Sequence, residues 1–530
     1  ATEAKEAALN NDAQEKRVDA LARFATAISY DLTDQSELAT EQRYQAALSD
    51  PANERLVTES SKRLVRAKEF EKSIRILSKA AAQPLASGEI FSSLAQAYLA
   101  SGKTNLAASA SQSAIKKSPV SIAGYQMLTE IFLRNGRTND VLKILNDAAR
   151  QTNSDAFFLI NLGDLYGKLA RVESKHSKSI DQKGLDVLNR AVLQKPTNPN
   201  LRHRLADNYA QLGDWKKAAE LYLELMTEFG DVPLMRDGLR AKLTNLYLQN
   251  SDKANAIEQL EAVVRDDPTR YPVAWHYLAN FAYEATNYAK ATEYFERALL
   301  LNPDLEQAYY DFAGMQVTID HAGEALKILE KARGKFPHSF TAEFFTGLAY
   351  SHLKNYADAV KHFTTAEVIG TATDAKRLND VFYFQLGSAH ERNGDFAQAE
   401  TYFQKSLELS PNFSDALNYL GFMWTDKGVN LEKARIMIEK AVKLEPKNDA
   451  YLDSLGWVLF KLKDYESALQ YLLQAVQLSE KPDATVYDHL GDIYQALQQT
   501  EKARDAWKKS LAIEPNETIQ KKMTANSTTL

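Results

Sequence analysis

Along the whole chain apolar residues recur three and four positions apart, in short runs separated by polar turns. That spacing gathers the apolar side chains onto one stripe of a helix and predicts one amphipathic helix after another. The stripe itself repeats. Leu490-Gly491-Asp492-Ile493-Tyr494 is followed by Ala503, Trp507, Ser510 and Pro515. Leu455-Gly456 precedes Ala468, Leu472 and Ala475 at the same intervals, and Leu386-Gly387 leads to Ala399, Phe403, Ser406 and Pro411. Each unit is thus a small residue, a second one twelve later, a large one four further on, and a third small one three after that. A proline usually closes it.

The first small residue of the unit falls at Ala27, Ser61, Ala95, Thr129, Gly163, Ala206, Thr244, Ala279, Ala313, Gly347, Gly387, Gly421, Gly456 and Gly491. Most neighbours in this series are 34 or 35 residues apart. Small side chains there let the two helices of a unit cross closely, where a larger one would push the backbones apart. Nine of the 14 prolines, from Pro51 to Pro515, stand at unit ends, where they stop one helix and open a turn. Asn393-Gly394-Asp395 and Leu212-Gly213-Asp214 signal the turn inside a unit.

This series of Leu-Gly, Tyr, Ala, Phe, Ala and Pro resembles the tetratricopeptide repeat over nearly the whole chain. The resemblance implies an all-α fold, a right-handed superhelical solenoid of about fourteen helix-turn-helix repeats, with helix A of each repeat on the concave side. No single repeat buries its own apolar faces, so stability comes from stacking on neighbours. Residues 20–517 form the array. Residues 1–19 precede it as an N-terminal helix or tether, and 518–530 follow as a short C-terminal tail. Three spacings exceed the period, with surplus residues at Arg171–Lys178, Phe229–Pro233 and Gly370–Asp374. These are expected as loops, either tolerated in solvent or part of a binding face.

Composition narrows the function. A net charge of −6 over 530 residues gives no basic field for nucleic acid. No apolar run is long enough to cross a membrane. The absence of cysteine excludes disulfides, thiolate metal sites and a cysteine nucleophile. It suits an oxidising compartment, and equally a family that has drifted away from cysteine.

No phosphate-binding glycine loop, His-Glu-x-x-His zinc helix, calcium loop or Gly-x-Ser-x-Gly elbow is present. The nine histidines are scattered. His203 and Asp207 lie one helical turn apart and could be half of a metal or acid–base site, but a surface hydrogen bond accounts for them without a third partner. The expectation is therefore no catalytic residue, no cofactor and no metal. Protein O-glycosyltransferases also carry long repeat arrays, but their ladder of asparagines at the sixth position of helix A is met here only at Asn161. The lysine that co-chaperone clamps need at the fifth position is absent from every A helix.

Groove-facing positions of helix A in this family carry Tyr283, Tyr310, Phe344, Phe384, Phe422, Trp457 and Phe460 in repeats eight to thirteen. Together they predict an aromatic track for an extended protein segment. Taken singly, each ring either faces the groove or packs between adjacent A helices. Earlier repeats place polar residues such as Gln96, Glu130, Asp164, Asp207 and Asn245 at the same positions. Asn418–Trp424, Tyr451–Trp457 and Tyr487–Asp492 are similar to long envelope repeat proteins of Gram-negative bacteria, among them lipoprotein adaptors of carboxyl-terminal processing proteases. That resemblance implies a periplasmic adaptor, anchored at the outer membrane by a lipid on a cysteine upstream of this sequence, with the protease and its substrates as partners. A cytoplasmic location, a structural role in a larger secretion or cell-wall assembly, and the regulatory array of a glycosyltransferase-type enzyme are the alternatives.

Overall fold

The computed structural model describes residues 2–173 and 177–525, with the side chains of 14–173 and 177–524. Among the described residues there are 29 α-helices, one short 3-10 turn and no strand. The first 28 helices form fourteen pairs, each an A helix followed by a B helix, and every one of the fourteen small marker residues lies in an A helix. The chain falls into two compact units, Ala1–Val263 and Val264–Leu530. The first holds pairs one to seven, apart from the last residues of the seventh B helix. The second holds pairs eight to fourteen and a final helix, Glu517–Ala525.

Within a pair, the small residue of helix A is where the B helix comes closest. A Cβ at Gly456 would lie 2.0 Å from Leu472 Cδ1 and 3.1 Å from the Ala468 carbonyl oxygen. At Gly347, Gly387 and Gly491 the same space is taken by Phe363, Phe403 and Trp507. In the second pair both crossing residues are serines, and Ser61 Oγ and Ser73 Oγ share a buried 2.8 Å hydrogen bond.

The turn between A and B is equally uniform. Seven positions after the small residue, thirteen pairs place a residue in the left-handed region, glycine in five of them and residues such as Lys68, Thr286 and Lys463 in the rest. The turn of the fifth pair runs through residues 174–176, outside the described residues. The following N–H then reaches back five residues, from Asp214 to the Tyr209 carbonyl at 3.0 Å and from Asn287 to that of Ala282 at 2.9 Å. This closes helix A. The side chains of the same Asp214 and Asn287 accept from the backbone N–H of Lys217 and Lys290, which opens helix B.

The surplus residues expected as loops mostly lengthen helices instead. The fifth pair is Ala156–Val172 and Ser177–Leu193, 17 residues each. The sixth B helix, Trp215–Phe229, ends close to the seventh A helix, Pro233–Gln249. The tenth B helix, Tyr356–Thr373, reaches 18 residues before the 3-10 turn Ala375–Arg377. Along its polar end the Thr371 and Thr373 hydroxyls donate to the Glu367 and Ile369 carbonyls one turn back.

Both ends of the array are helical. Thr2–Leu32 is one helix, so residues 2–19 run into the A helix of the first pair. Glu517–Ala525 stands where a fifteenth A helix would begin, with Ile519 buried beside Ala503 and Trp507. Lys522 Nζ donates to Asp488 Oδ1 at 2.8 Å and to Asp492 Oδ2 at 2.7 Å, tying this helix to the fourteenth pair. The expected tail, 518–530, is thus helical to residue 525, and 526–530 lie outside the described residues.

Gly456→Val is expected to destabilise the C-terminal unit by about 1–3 kcal/mol, because Leu472 can swing aside but the Ala468 carbonyl cannot. A lowered denaturant midpoint with unchanged helicity before the transition is the readout.

Candidate partner-binding face

The A helices of the second unit carry all seven aromatic residues expected to line a groove, and the structure separates them into two groups. Tyr310, Phe384 and Trp457 are buried. Tyr283, Phe344, Phe422 and Phe460 are half-buried. The buried three offer a partner almost no surface, because each is clasped by the next A helix. Tyr310 stacks on Phe345 at 6.5 Å and bonds to Ser339 Oγ at 2.7 Å. Phe384 lies edge-on to Phe413 at 5.2 Å and to Tyr419 at 5.1 Å. Trp457 is held between His489, stacked at 3.9 Å, and Phe460 at 4.9 Å, with Lys461 Nζ 4.7 Å from its ring centre. For these residues the packing alternative is the one observed.

The half-buried rings also pack. Phe344 meets Phe340, Phe345, Phe363 and Phe382, and Tyr283 meets Tyr288. Phe422 reaches His489 at 6.5 Å. The more open apolar side chains of these A helices are ones the sequence did not single out. Val273 and Val381 at the second helix position and Tyr277 at the sixth are 46%, 44% and 42% exposed. They could have been found by asking which apolar residues of helix A fall outside the stripe that meets helix B.

The titratable residues considered for chemistry serve a different purpose. Asp207 accepts from Tyr222 Oη at 2.5 Å and from Lys242 Nζ at 2.6 Å, with His203 Nδ1 3.3 Å away. Lys242 lies 35 residues on, in the next repeat. Burial by itself would raise the Asp207 carboxyl, but the hydrogen bonds from His203, Lys242 and Tyr222 outweigh it and hold the group well below the usual carboxylate range.

The same one-repeat offset joins His276 Nε2 to Asp311 Oδ2 at 2.7 Å and His489 Nδ1 to Asp453 Oδ1 at 2.9 Å. It also joins Tyr451 Oη to Asp415 Oδ1 at 2.5 Å. These are clips between neighbouring A helices. Asn161 is engaged likewise, donating to the Phe157 carbonyl and accepting from Arg204 of the next repeat. Among the described residues no group of three or more His, Cys, Asp or Glu is placed to hold a metal, and no helix is long and apolar enough to cross a membrane. The polar positions expected along the first unit divide in the same way: Gln96, Glu130 and Asn245 are exposed, whereas Asp164 and Asp207 are half-buried.

Sequence models of the tetratricopeptide repeat match residues 272–305, 320–374, 381–413, 450–481 and 484–517, all in the second unit. The TPR repeat-containing protein PA4667 of Pseudomonas aeruginosa is 37% identical over 102 residues, 19% of this chain and 17% of that one. The type IV pilus assembly protein PilF of the same organism is 29% identical over 136 residues, 26% of this chain and 54% of its own length. The chain thus spans about half of one curated relative and less than a fifth of the other. Among solved structures, the APC/C hetero-tetramer Cut9–Hcn1 covers 88% of this chain and 95% of that chain, at 18% identity and a TM-score of 0.41.

Two outcomes separate packing from surface. Trp457→Ala is expected to cost about 3–5 kcal/mol of stability, whereas Tyr277→Ala costs about 0.5 kcal/mol or less, both read from urea denaturation. A carboxyl depressed in the folded state contributes stability above its unfolded value near ~4 and loses it as pH falls through the folded value. Asp207→Asn is therefore expected to lower the thermal midpoint at pH 7, with the gap to the wild type closing as the pH is taken below about 4.

Proposed function

We propose that this tetratricopeptide-repeat protein is a non-enzymatic scaffold that holds extended, apolar protein segments on the A helices of its C-terminal unit. The observation that carries this reading is the set of open apolar side chains on these A helices, Val273 and Tyr277 on the eighth and Val381 on the eleventh, together with the half-buried rings of Tyr283, Phe344, Phe422 and Phe460. Separate apolar contacts of this kind meet side chains of varied shape with few fixed charges, which suits several loosely held clients better than one tightly held tail. The carboxylates and histidines that would otherwise suggest chemistry are engaged between repeats.

The finer reading is an adaptor of the bacterial periplasm, anchored by a lipid on an upstream cysteine, that presents clients to a carboxyl-terminal processing protease. It rests on the likeness of residues 418–424, 451–457 and 487–492 to envelope adaptors and on the absence of cysteine. A second reading, a structural subunit of a larger envelope assembly, is favoured by the partial likeness to a pilus assembly protein.

The test mixes the purified chain with a carboxyl-terminal processing protease and a labelled substrate ending in an extended apolar tail. The wild type is expected to bind the tail and speed its cleavage. Tyr277→Ala with Val381→Ala is expected to weaken binding roughly tenfold, about 1.4 kcal/mol, at unchanged helicity. Binding without faster cleavage removes the adaptor role and keeps the scaffold. No binding to the tail removes the scaffold reading itself.

A further inference from the structure

The first helix, Thr2–Leu32, packs through one face on the second, Ser36–Ser49, and its Asp31 accepts from Arg63 of the third, Glu54–Arg66. That face buries Ala20 and Ala27 and half-buries Phe24. A different face carries Val18, Leu21, Ala25, Ile28 and Leu32. Val18, Leu21, Ile28 and Leu32 are 67%, 66%, 43% and 82% exposed, and Ala25 is exposed as well. The intervals are three, four, three and four, the seam of a two-stranded coiled coil rather than the broader stripe of a helix buried in a core.

We propose that this seam is a self-association surface, on which a second copy of the chain lays its own first helix antiparallel. The charges at the two ends decide the direction. Arg17 stands at the start of the seam and Asp34 just past its end; both are exposed, and neither side chain makes an ion pair among the described residues. Glu37 adds a second exposed carboxylate beyond Asp34. Antiparallel pairing centred near Ala25 brings Arg17 of each copy to Asp34 of the other, twice over. Parallel pairing would set like charge against like.

Such a pair has two-fold symmetry, so it closes on itself and does not propagate. Leu21 of one copy then lies between Ile28 and Leu32 of the other, and the small Ala25 sits at the centre, where the helices come closest. The exposed apolar strip is roughly 400 Å² per chain, the size at which a surface patch marks an interaction site. Two strips bury on the order of 800 Å², below the size of a standard stable interface, which makes the dimer a weak, transient one.

Sedimentation velocity of the full chain from about 1 to 100 μM tests this. The wild type is expected to pass from monomer to dimer over that range. Leu21→Lys with Ile28→Lys is expected to stay monomeric at the top of it, with circular dichroism unchanged. Arg17→Glu and Asp34→Lys should each weaken the dimer, and the double variant should restore it. Lysine is tolerated at that turn, since Lys68, Lys354 and Lys463 hold the same left-handed position in other pairs. A wild type that is monomeric at the highest concentration, or a dimer untouched by the two lysines, overturns the proposal. Failure of the double charge swap to restore association overturns the antiparallel arrangement.

Discussion

The close crossing of helix A over helix B is the constraint on which the rest of this structure depends. Its dimension is set by what is missing: at Gly347, Gly387, Gly456 and Gly491 the space of a Cβ is filled by a large side chain of the B helix sixteen residues later, Phe363, Phe403, Leu472 and Trp507. Glycine is not there for its backbone freedom, since none of these four has a positive φ. It is there for volume, and with it the large B-helix residue becomes almost fully buried. Close packing of this kind tolerates little change in either partner.

A second constraint makes the crossing repeatable. After thirteen of the A helices one residue turns into the left-handed region and the next returns its N–H to helix A, and where that next residue is Asp214 or Asn287 its side chain also caps helix B. A fixed turn length fixes the register in which the two small residues meet. This explains why added residues appear as longer helices. In the sixth, seventh and tenth pairs the surplus sits at the far ends of helices, away from the A–B turn, so the crossing is undisturbed. In the fifth pair both helices are long, and the crossing still holds, with Leu188 against Gly163.

These features were legible in the sequence because each is decided within one repeat, by residues twelve to sixteen apart. What was not legible is decided between repeats. Trp457 at a groove position reads as a contact residue until His489, in the following A helix, is found stacked on it at 3.9 Å. Tyr310 reads the same way until Ser339 and Phe345 are placed against it. His203 with Asp207 looked like half a site when only its own helix was in view, and Lys242, one repeat later, accounts for the carboxylate. A search at the period of the array, and not only within a helix, would have joined Asp207 to Lys242, His276 to Asp311 and Asp453 to His489.

The division of labour along helix A bears on how a scaffold of this kind changes. The clips of His276 to Asp311 and of Asp453 to His489 use the fifth and sixth positions, and buried rings such as Trp457 at the ninth add stacking. Altering them removes a buried partner and leaves a cavity or an uncompensated charge, a loss of several kcal/mol in either case. Val273 and Val381, at the second position of their helices, are 46% and 44% exposed, and a substitution of either costs a few tenths of a kcal/mol at most. If partners are gripped where side chains are open, then specificity and stability rest on different residues of the same helix. The array can then vary its clients while the crossing, the turn and the clips stay as they are.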